Sequence, residues 1–399
     1  MIQALLVDLD DTLLQNDVGR FIPAYFDLLA RELAVFGPKD RILTAILAGT
    51  KAMLGNEDPE QTLAQVFFGS FEETTGADPN AVAVALERFY GEVYPQLETL
   101  TGRIEGAAHF LRSAIGNGLA VAVATNPLMV RSAIEHRLAW AGAPVSEFGY
   151  ALITDVETFH FAKPRPAYFA EALAYLGRLP SEAAMVGNDV VEDLDPAASL
   201  GLTVFHVTAT PADGRPSGDL GEASRWLAAQ THVEPPPINQ PAALIARFEG
   251  QLAALLSGLR QVGEEALRQP LAGGGLAPLQ VVCHLRDVDR EVNLPRLKMF
   301  LEKDDPFLSS VDTDKWISER DYIHEEPQQA VRGFIAARKE VTVALRALSA
   351  AEWRRKARHS LLGPITLGDW IAVLAEHDLR HIGPVVAPLG ARSPAGDSA

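Results

Sequence analysis

The strongest constraint on the fold is a set of short, almost wholly apolar runs separated by helix-length stretches. Runs of β type lie at 4–10 (ALLVDLD), 119–125 (LAVAVAT), 150–154 (YALIT), 183–188 (AAMVGN) and 202–207 (LTVFHV). Amphipathic helical patterns stand between most of them, as at 105–117 and 166–177. A strand that is apolar on both faces must be covered on both. Strands alternating with helices build such a sheet in parallel. Sheets of this kind bind ligands at the carboxyl ends of their strands.

The alternation breaks twice. From about 16 to 98 the pattern is helical (near 20–35, 38–54, 58–72 and 79–94), with no convincing strand. A helical module inserted just after the first strand is placed to cover that strand's end. Around 231–241, THVEPPPINQP is a proline-rich connector that continues no helix. Beyond it, long helical patterns near 241–268, 277–303, 327–349 and 365–388 predict an all-α, antiparallel four-helix bundle, without a strand of comparable strength. The expected units are therefore 1–230, a linker at 231–240, a bundle at 241–390 and a disordered tail at 391–399. The connector's composition further predicts that the bundle folds by itself.

Charge follows the same division. Of the formal net charge of −17, residues 1–240 carry −16 and residues 241–399 carry −1. The acidity of the first unit argues against a nucleic-acid partner. The single cysteine, Cys283, allows no intrachain disulfide and favours a reducing compartment. The start, MIQALLVDLDD, lacks a basic n-region, and no apolar run approaches the roughly 20 residues of a membrane span. A cytoplasmic protein without a membrane partner is expected.

The first strand ends in an unusual way. In ALLVDLDDTLL, three carboxylates (Asp8, Asp10 and Asp11) follow a core strand at once, although ionised carboxylates repel and are costly to bury. A shared cation turns that repulsion into attraction. Three other strand ends or loops carry matching groups: Thr125 and Asn126 after LAVAVA, Lys163 in HFAKPRP, and Asp189 and Asp193 in MVGNDVVEDLDPA. Hard oxygen donors with one lysine suit Mg²⁺ and phosphate. The order DxDxT, a hydroxyl residue, Lys, then GNDxxxD resembles the haloacid dehalogenase-like hydrolase superfamily over residues 1–230. The resemblance implies a Rossmann-like sheet with a helical cap. It implies Asp8 as nucleophile forming an aspartyl-phosphate, and Asp10 as the acid and base. Thr125, with Asn126, would bind the phosphoryl oxygens, and Lys163 would neutralise their charge. Mg²⁺ would be held by Asp8, the Asp10 carbonyl and Asp189, with Asp193 in support. The second acid, Asp10, separates phosphatases from dehalogenating members. Asp11 stands at a free position and is expected to turn away and bind backbone. His109, His136 and His160 have no partner pattern and read as structural or surface residues.

A second constellation lies in the bundle. His377 and His381, in EHDLRH, are four apart on one helix face, on the stripe with Trp370, Leu374 and Val385. His284 stands on the core stripe of another helix with Val281 and Val288. Three inward imidazoles can meet at one metal and leave positions open. HLRDVDREVNLPRL, HDLRH and the stretch between them resemble the DinB-like superfamily of four-helix bundles, which implies a histidine triad for Zn²⁺, Ni²⁺ or Fe²⁺. Cys283 points about 100° from His284 on a helix and is not expected to be a ligand. Trp316 and Trp353 read as packing, and the basic run WRRKARH (353–359) as a solvated turn.

The leading expectation is a Mg²⁺-dependent phosphatase for a small phosphorylated metabolite, joined to a metal-binding bundle. A phosphomutase or other phosphotransferase shares the same core residues. In a third reading the first unit senses or binds, and the bundle is the working part, possibly in thiol-dependent transfer.

Overall fold

The computed structural model describes residues 1–210, 214–230, 240–271 and 274–390. The expected linker falls almost wholly on 231–239 and the expected disordered tail on 391–399, outside the described residues. The chain opens with β1 (Ala4–Val7), buried throughout, which runs directly into Asp8. A turn leads to β2 (Leu14–Asn16), which pairs antiparallel with β3 (Thr101–Arg103). Between these two strands the chain forms α1 (Val18–Glu32), α2 (Lys39–Gly55), α3 (Leu63–Thr75) and α4 (Pro79–Arg88). The helical module expected at 16–98 is thus hung from a two-stranded ribbon. Strands of three residues are too short to show periodicity in sequence. Local chemistry sets the helix ends. α3 starts in a capping box between Thr62 and Gln65 and stops at left-handed Gly76, while Asp78 and Pro79 open α4.

The core continues through α5 (Ala107–Gly116), β4 (Ala120–Val123), α6 (Arg131–Trp140), β5 (Leu152–Ile153) and α7 (Pro166–Leu176). It closes with β6 (Ala183–Gly187), α8 (Asp195–Leu200), β7 (Thr203–Val207), β8 (Ser217–Gly218) and α9 (Leu220–Ala229). The strands form one parallel sheet in the order β5-β4-β1-β6-β7-β8. β1 lies between β4 and β6, with Val7 opposite both Val123 and Val186. Residues just beyond those three strands therefore come out side by side: Asp8, then Ala124 and Thr125, then Asn188 and Asp189.

The second unit contains α10 (Pro241–Gln261) and α11 (Pro278–Val288), which runs through a π turn at Asp289–Asn293 into α12 (Leu294–Glu302). β9 (Phe307–Leu308), α13 (Lys315–Glu319), α14 (Pro327–Arg346), β10 (Lys356–His359), β11 (Gly363–Thr366) and α15 (Leu367–Gly390) follow. The long helices match the expectation, but the small sheet β11-β10-β9 does not. The run WRRKARH is not a solvated turn. Its end is β10, with Ala357 and His359 buried and Lys356 and Arg358 exposed. Dense basic residues hid this two-residue alternation.

The two units share one core. Every residue of α7 from Ala167 to Leu176 is buried, Glu171 included. A helix without a solvent face needs cover all round. The sheet covers one side, and α10 and α15 the other. One apolar cluster runs from Ala4 and Leu6 through α7 to Leu252, Leu256 and Val386. The helices approach to backbone contact: a Cβ on Gly250 would stand 2.4 Å from the Glu171 amide nitrogen. One on Gly383 would stand 3.1 Å from the Gly177 Cα. The expectation that the bundle folds alone, drawn from the connector, leaves this contact out. Without α7, the inner faces of α10 and α15 would meet water. α10 also has the length and hydropathy of a membrane span, but it is mostly buried in this core.

Gly250→Val is expected to lower stability by about 1–3 kcal/mol in urea denaturation, because the clash is with backbone that cannot move aside. Gly69→Ala, on the exposed face of α3 with open space at its Cβ, is the control. It should leave stability unchanged or raise it by up to about 1 kcal/mol.

Candidate active site and candidate metal centre

The end of β1 is built by its own turn. The Leu13 and Leu14 amides both donate to the Leu9 carbonyl, and Asp11 takes a left-handed φ of 54°. The Asp11 carboxylate accepts from the Asn16 amide at 2.8 Å, so it faces backbone, away from its two neighbours' task. Thr12 Oγ1 lies 3.3 Å from Asp8 Oδ2 and 3.1 Å from Asn188 Oδ1, tying the end of β1 to the end of β6.

Lys163, from the loop between β5 and α7, reaches across to this edge. Its Nζ is 2.8 Å from Asp8 Oδ1 and 2.6 Å from Asp193 Oδ1, all three groups being buried. Asp193 sits in the π turn Val190–Leu194, and its Oδ2 accepts from the Asp189 amide at 3.2 Å. Gly187 is required here: a Cβ would stand 2.2 Å from Asp193 Oδ2. Asp189 Oδ1 accepts from the Val191 and Glu192 amides, which leaves Oδ2 outside the cap. Asn126 Oδ1 accepts from the Lys163 amide at 3.3 Å. Thr125 is buried, and its carbonyl accepts from Thr154 Oγ1 and the Tyr168 hydroxyl, both at 2.8 Å.

Asp10 is turned differently. Its Oδ1 accepts from Asn16 Nδ2 at 2.9 Å and forms an ion pair with the buried Arg137 of α6. Sequence reasoning missed Arg137. In RSAIEHRLAW a single arginine looks like any solvated helix position, and only the fold aims it at Asp10.

The charges are unbalanced. Burial works against the Lys163 ammonium, but the Asp193 and Asp8 carboxylates outweigh it and hold its pKa above the usual lysine range. Burial, then the Asp8 charge, raise Asp193 to about 7 against the pull of Lys163. Two buried carboxylates share one ammonium. Hard oxygen donors in excess of their cationic partners fit Mg²⁺.

Beside this edge, under the cap, lies a chamber of about 560 Å³. All four cap helices wall it, with Tyr25, Met53, Phe67 and Leu86 among the lining, over a floor that includes Met129 and Val156. The Met129 sulfur lies 3.4 Å from the Tyr94 hydroxyl and 3.9 Å from Arg137 Nη1, next to the Arg137–Asp10 pair. Glu157 also lines the chamber. Burial first, then the neighbouring Asp155, push its pKa up to about 8.

In the bundle, His284 of α11 meets His377 and His381 of α15. Ring centroids are 4.6–5.3 Å apart, and His284 Nε2 is 3.4 Å from His377 Nε2. Asp314, just before α13, joins them, its Oδ1 lying 3.9, 4.0 and 3.6 Å from the Nε2 atoms of His284, His377 and His381. One ligand atom from each of the four residues falls within 4.8 Å of all the others. Asp314 is exposed in an acidic loop and carries no sequence signal. Burial and the neighbouring rings of His381 and His377 lower His284 to about 3, so its ring is neutral, the form that binds metal. Behind the triad, His377 Nδ1 is 3.2 Å from Asp378 Oδ1. Arg338, fully buried, pairs with Asp378 at 2.6 Å and with Asp289 at 2.7 Å. Three imidazoles and a carboxylate fit a divalent transition metal. Cys283 is buried, its thiol pushed up to about 12 by burial and by Glu325, and is not among these groups.

The model of the haloacid dehalogenase-like hydrolase family matches residues 2–201, half of the chain. The chain belongs to that family and is a hydrolase of its type. The model of the DinB superfamily matches residues 225–384. A phosphoserine phosphatase from Thermus thermophilus is 30% identical over 248 residues, 54% of this chain and 93% of that protein. Among solved structures, a HAD phosphatase from Thermococcus onnurineus is 20% identical with a TM-score of 0.36, over 58% of this chain and all of that one. YfiT from Bacillus subtilis, described as a probable metal-dependent hydrolase with an unusual four-helix bundle topology, is 23% identical with a TM-score of 0.34. It covers 39% of this chain and 89% of its own.

With its pKa raised from 4.5 to about 8, Glu157 takes up a proton on folding between those values. Its contribution to stability is greatest below the lower value and is lost as pH rises through the upper. Glu157→Gln should flatten the decline in urea stability between about pH 5 and about pH 8, by at most about 1.4 kcal/mol per pH unit.

Proposed function

We propose that this chain is a Mg²⁺-dependent phosphatase that works through an aspartyl-phosphate on Asp8. The buried contact of Lys163 with both Asp8 and Asp193, at the joined ends of β1 and β6, carries the reading. Asp8 attacks phosphorus as the bond to the leaving oxygen breaks. Asp10 gives that oxygen its proton. Asn16 and Arg137 engage its Oδ1, which leaves Oδ2 to carry the proton. Asp10 then takes a proton from the water that attacks phosphorus and frees Asp8. Thr125 and Asn126 bind the phosphoryl oxygens, and Lys163 offsets their charge. Asp8, the Asp10 carbonyl and Asp189 would hold Mg²⁺, with Asp193 in support, and the ion would supply the remaining charge neutralisation.

The substrate in this reading is a small phosphomonoester whose organic part is apolar, which suits the chamber beside the Arg137–Asp10 pair. The phosphatase relative supports the phosphomonoester class. A phosphomutase shares the core residues and differs only in its product. A purely sensory first unit would have no need of both Asp8 and Asp10, and both are present. We divide the chain into a hydrolase unit at 1–230 and a bundle at 241–390. In the bundle, His284, His377 and His381 would hold one Zn²⁺, Ni²⁺ or Fe²⁺, with Asp314 beside them.

A phosphate-release screen with Mg²⁺ should find hexyl phosphate hydrolysed faster than phosphoserine. Asp8→Asn should abolish turnover and any burst, and Asp10→Asn should slow it roughly 10²–10⁴-fold. Undiminished turnover in Asp8→Asn would sink the mechanism.

The full chain, purified without chelator, should carry close to one transition metal per molecule by elemental analysis. His284→Ala should remove most of it and Asp8→Asn none, because losing one of three imidazoles leaves a site that competes poorly with buffer. Full occupancy in His284→Ala would show that these are ordinary core histidines.

A further inference from the structure

The loop that carries Lys163 is held from three directions. The cap's turn between α2 and α3, with the first residues of α3, lies on it: the Leu63 amide donates to the Phe159 carbonyl and the Ala64 amide to the Val156 carbonyl, each at 2.8 Å. Asn56 Nδ2, from the same turn, donates to the His160 carbonyl at 2.8 Å. The core holds the loop through fully buried Glu171 of α7, which bonds the His160 amide at 3.1 Å and His160 Nδ1 at 2.8 Å. The bundle supplies the third hold. Arg260, at the end of α10, places Nη1 3.2 Å from His160 Nε2, and its Nη2 donates to the Glu60 carbonyl in the cap turn. Lys339 of α14 pairs with the Glu60 carboxylate.

The chemistry of these contacts is consistent. A carboxylate at Nδ1 keeps the proton there, so Nε2 presents a lone pair, and a guanidinium can only donate. One arginine thus satisfies the histidine of the Lys163 loop and a carbonyl of the cap at the same time. Gly250, in backbone contact with Glu171, sets α10 close enough for Arg260 to reach.

We propose that Arg260 is a positioning residue through which the bundle locks the Lys163 loop to the cap, so that the phosphatase site depends on the second unit. Its kinetic consequence rests on the phosphatase reading; the mechanical lock does not.

The test compares wild type, Arg260→Ala and Arg260→Lys in the full chain. Hydrogen exchange reads the lock whether or not phosphate is released. In Arg260→Ala, the amides of Leu63, Ala64 and His160 should exchange about tenfold faster or more, while those in the middle of β1 and β6 are unchanged. With hexyl phosphate, kcat should fall roughly ten- to a hundredfold from a misplaced Lys163, more than KM changes. Arg260→Lys, which can donate to His160 or to Glu60 but not both, should recover part of each effect. Lys339→Ala, at an exposed pair, should speed exchange at Leu63 and Ala64 more weakly, and stands in if Arg260→Ala does not fold. Unchanged exchange at the three amides, or faster exchange spread evenly over the protein, would overturn the lock. Altered exchange with unaltered kcat would overturn its role in positioning Lys163.

Discussion

The architecture depends on α7, a helix with no face toward water. Its residues are buried on every side, so the parallel sheet covers only half of it and α10 and α15 must cover the rest. Burial of this kind lets two units that look separate in sequence share one core. It also restricts which residues can stand at the contact. Gly250, Gly177 and Gly383 bring helices to backbone distance, where a side chain would hold them apart.

α7 links the rest of the structure as well. The Lys163 loop enters it, and Glu171 within it anchors that loop through His160. From there Lys163 reaches the ends of β1 and β6, where it faces two carboxylates. A buried ammonium between two buried carboxylates is costly on its own and requires partners held firmly in place. The strand order that sets β1 between β4 and β6 places those partners, and the packed α7 holds the lysine. In the proposed mechanism the remaining negative charge draws Mg²⁺, so the same imbalance that strains the fold prepares the site.

The bundle repeats this logic with other donors. Three imidazoles converge at one point, and behind them a buried chain of Asp378, Arg338 and Asp289 orients His377. Arg338 has carboxylates on both sides and Phe248 and Phe334 within 5.1 Å of its guanidinium. Such a network is stable only when each member is paired, and it holds the histidines in a geometry that an isolated helix could not maintain.

Much of this was legible in the chain itself. Apolar runs and helical periods determine the strands of the main sheet and the long helices, because burial on two faces or one stripe writes directly into residue order. The motif residues at strand ends are legible for the same reason: a parallel sheet brings its carboxyl ends to one edge whatever the loops do. The spacing of His377 and His381 on one face, with His284 on another core stripe, also follows from helical geometry alone. What only the tertiary structure decided are contacts between residues with no shared period. Arg137 on Asp10, Asp314 beside the triad, Arg260 on His160 and the three-residue ribbon under the cap all join segments far apart in sequence. The joint core around α7 was hidden too: 166–177 reads as an amphipathic stretch with one covered face, whereas the fold buries Ala167 to Leu176 on every side, and the elements that cover the second face lie far off in sequence.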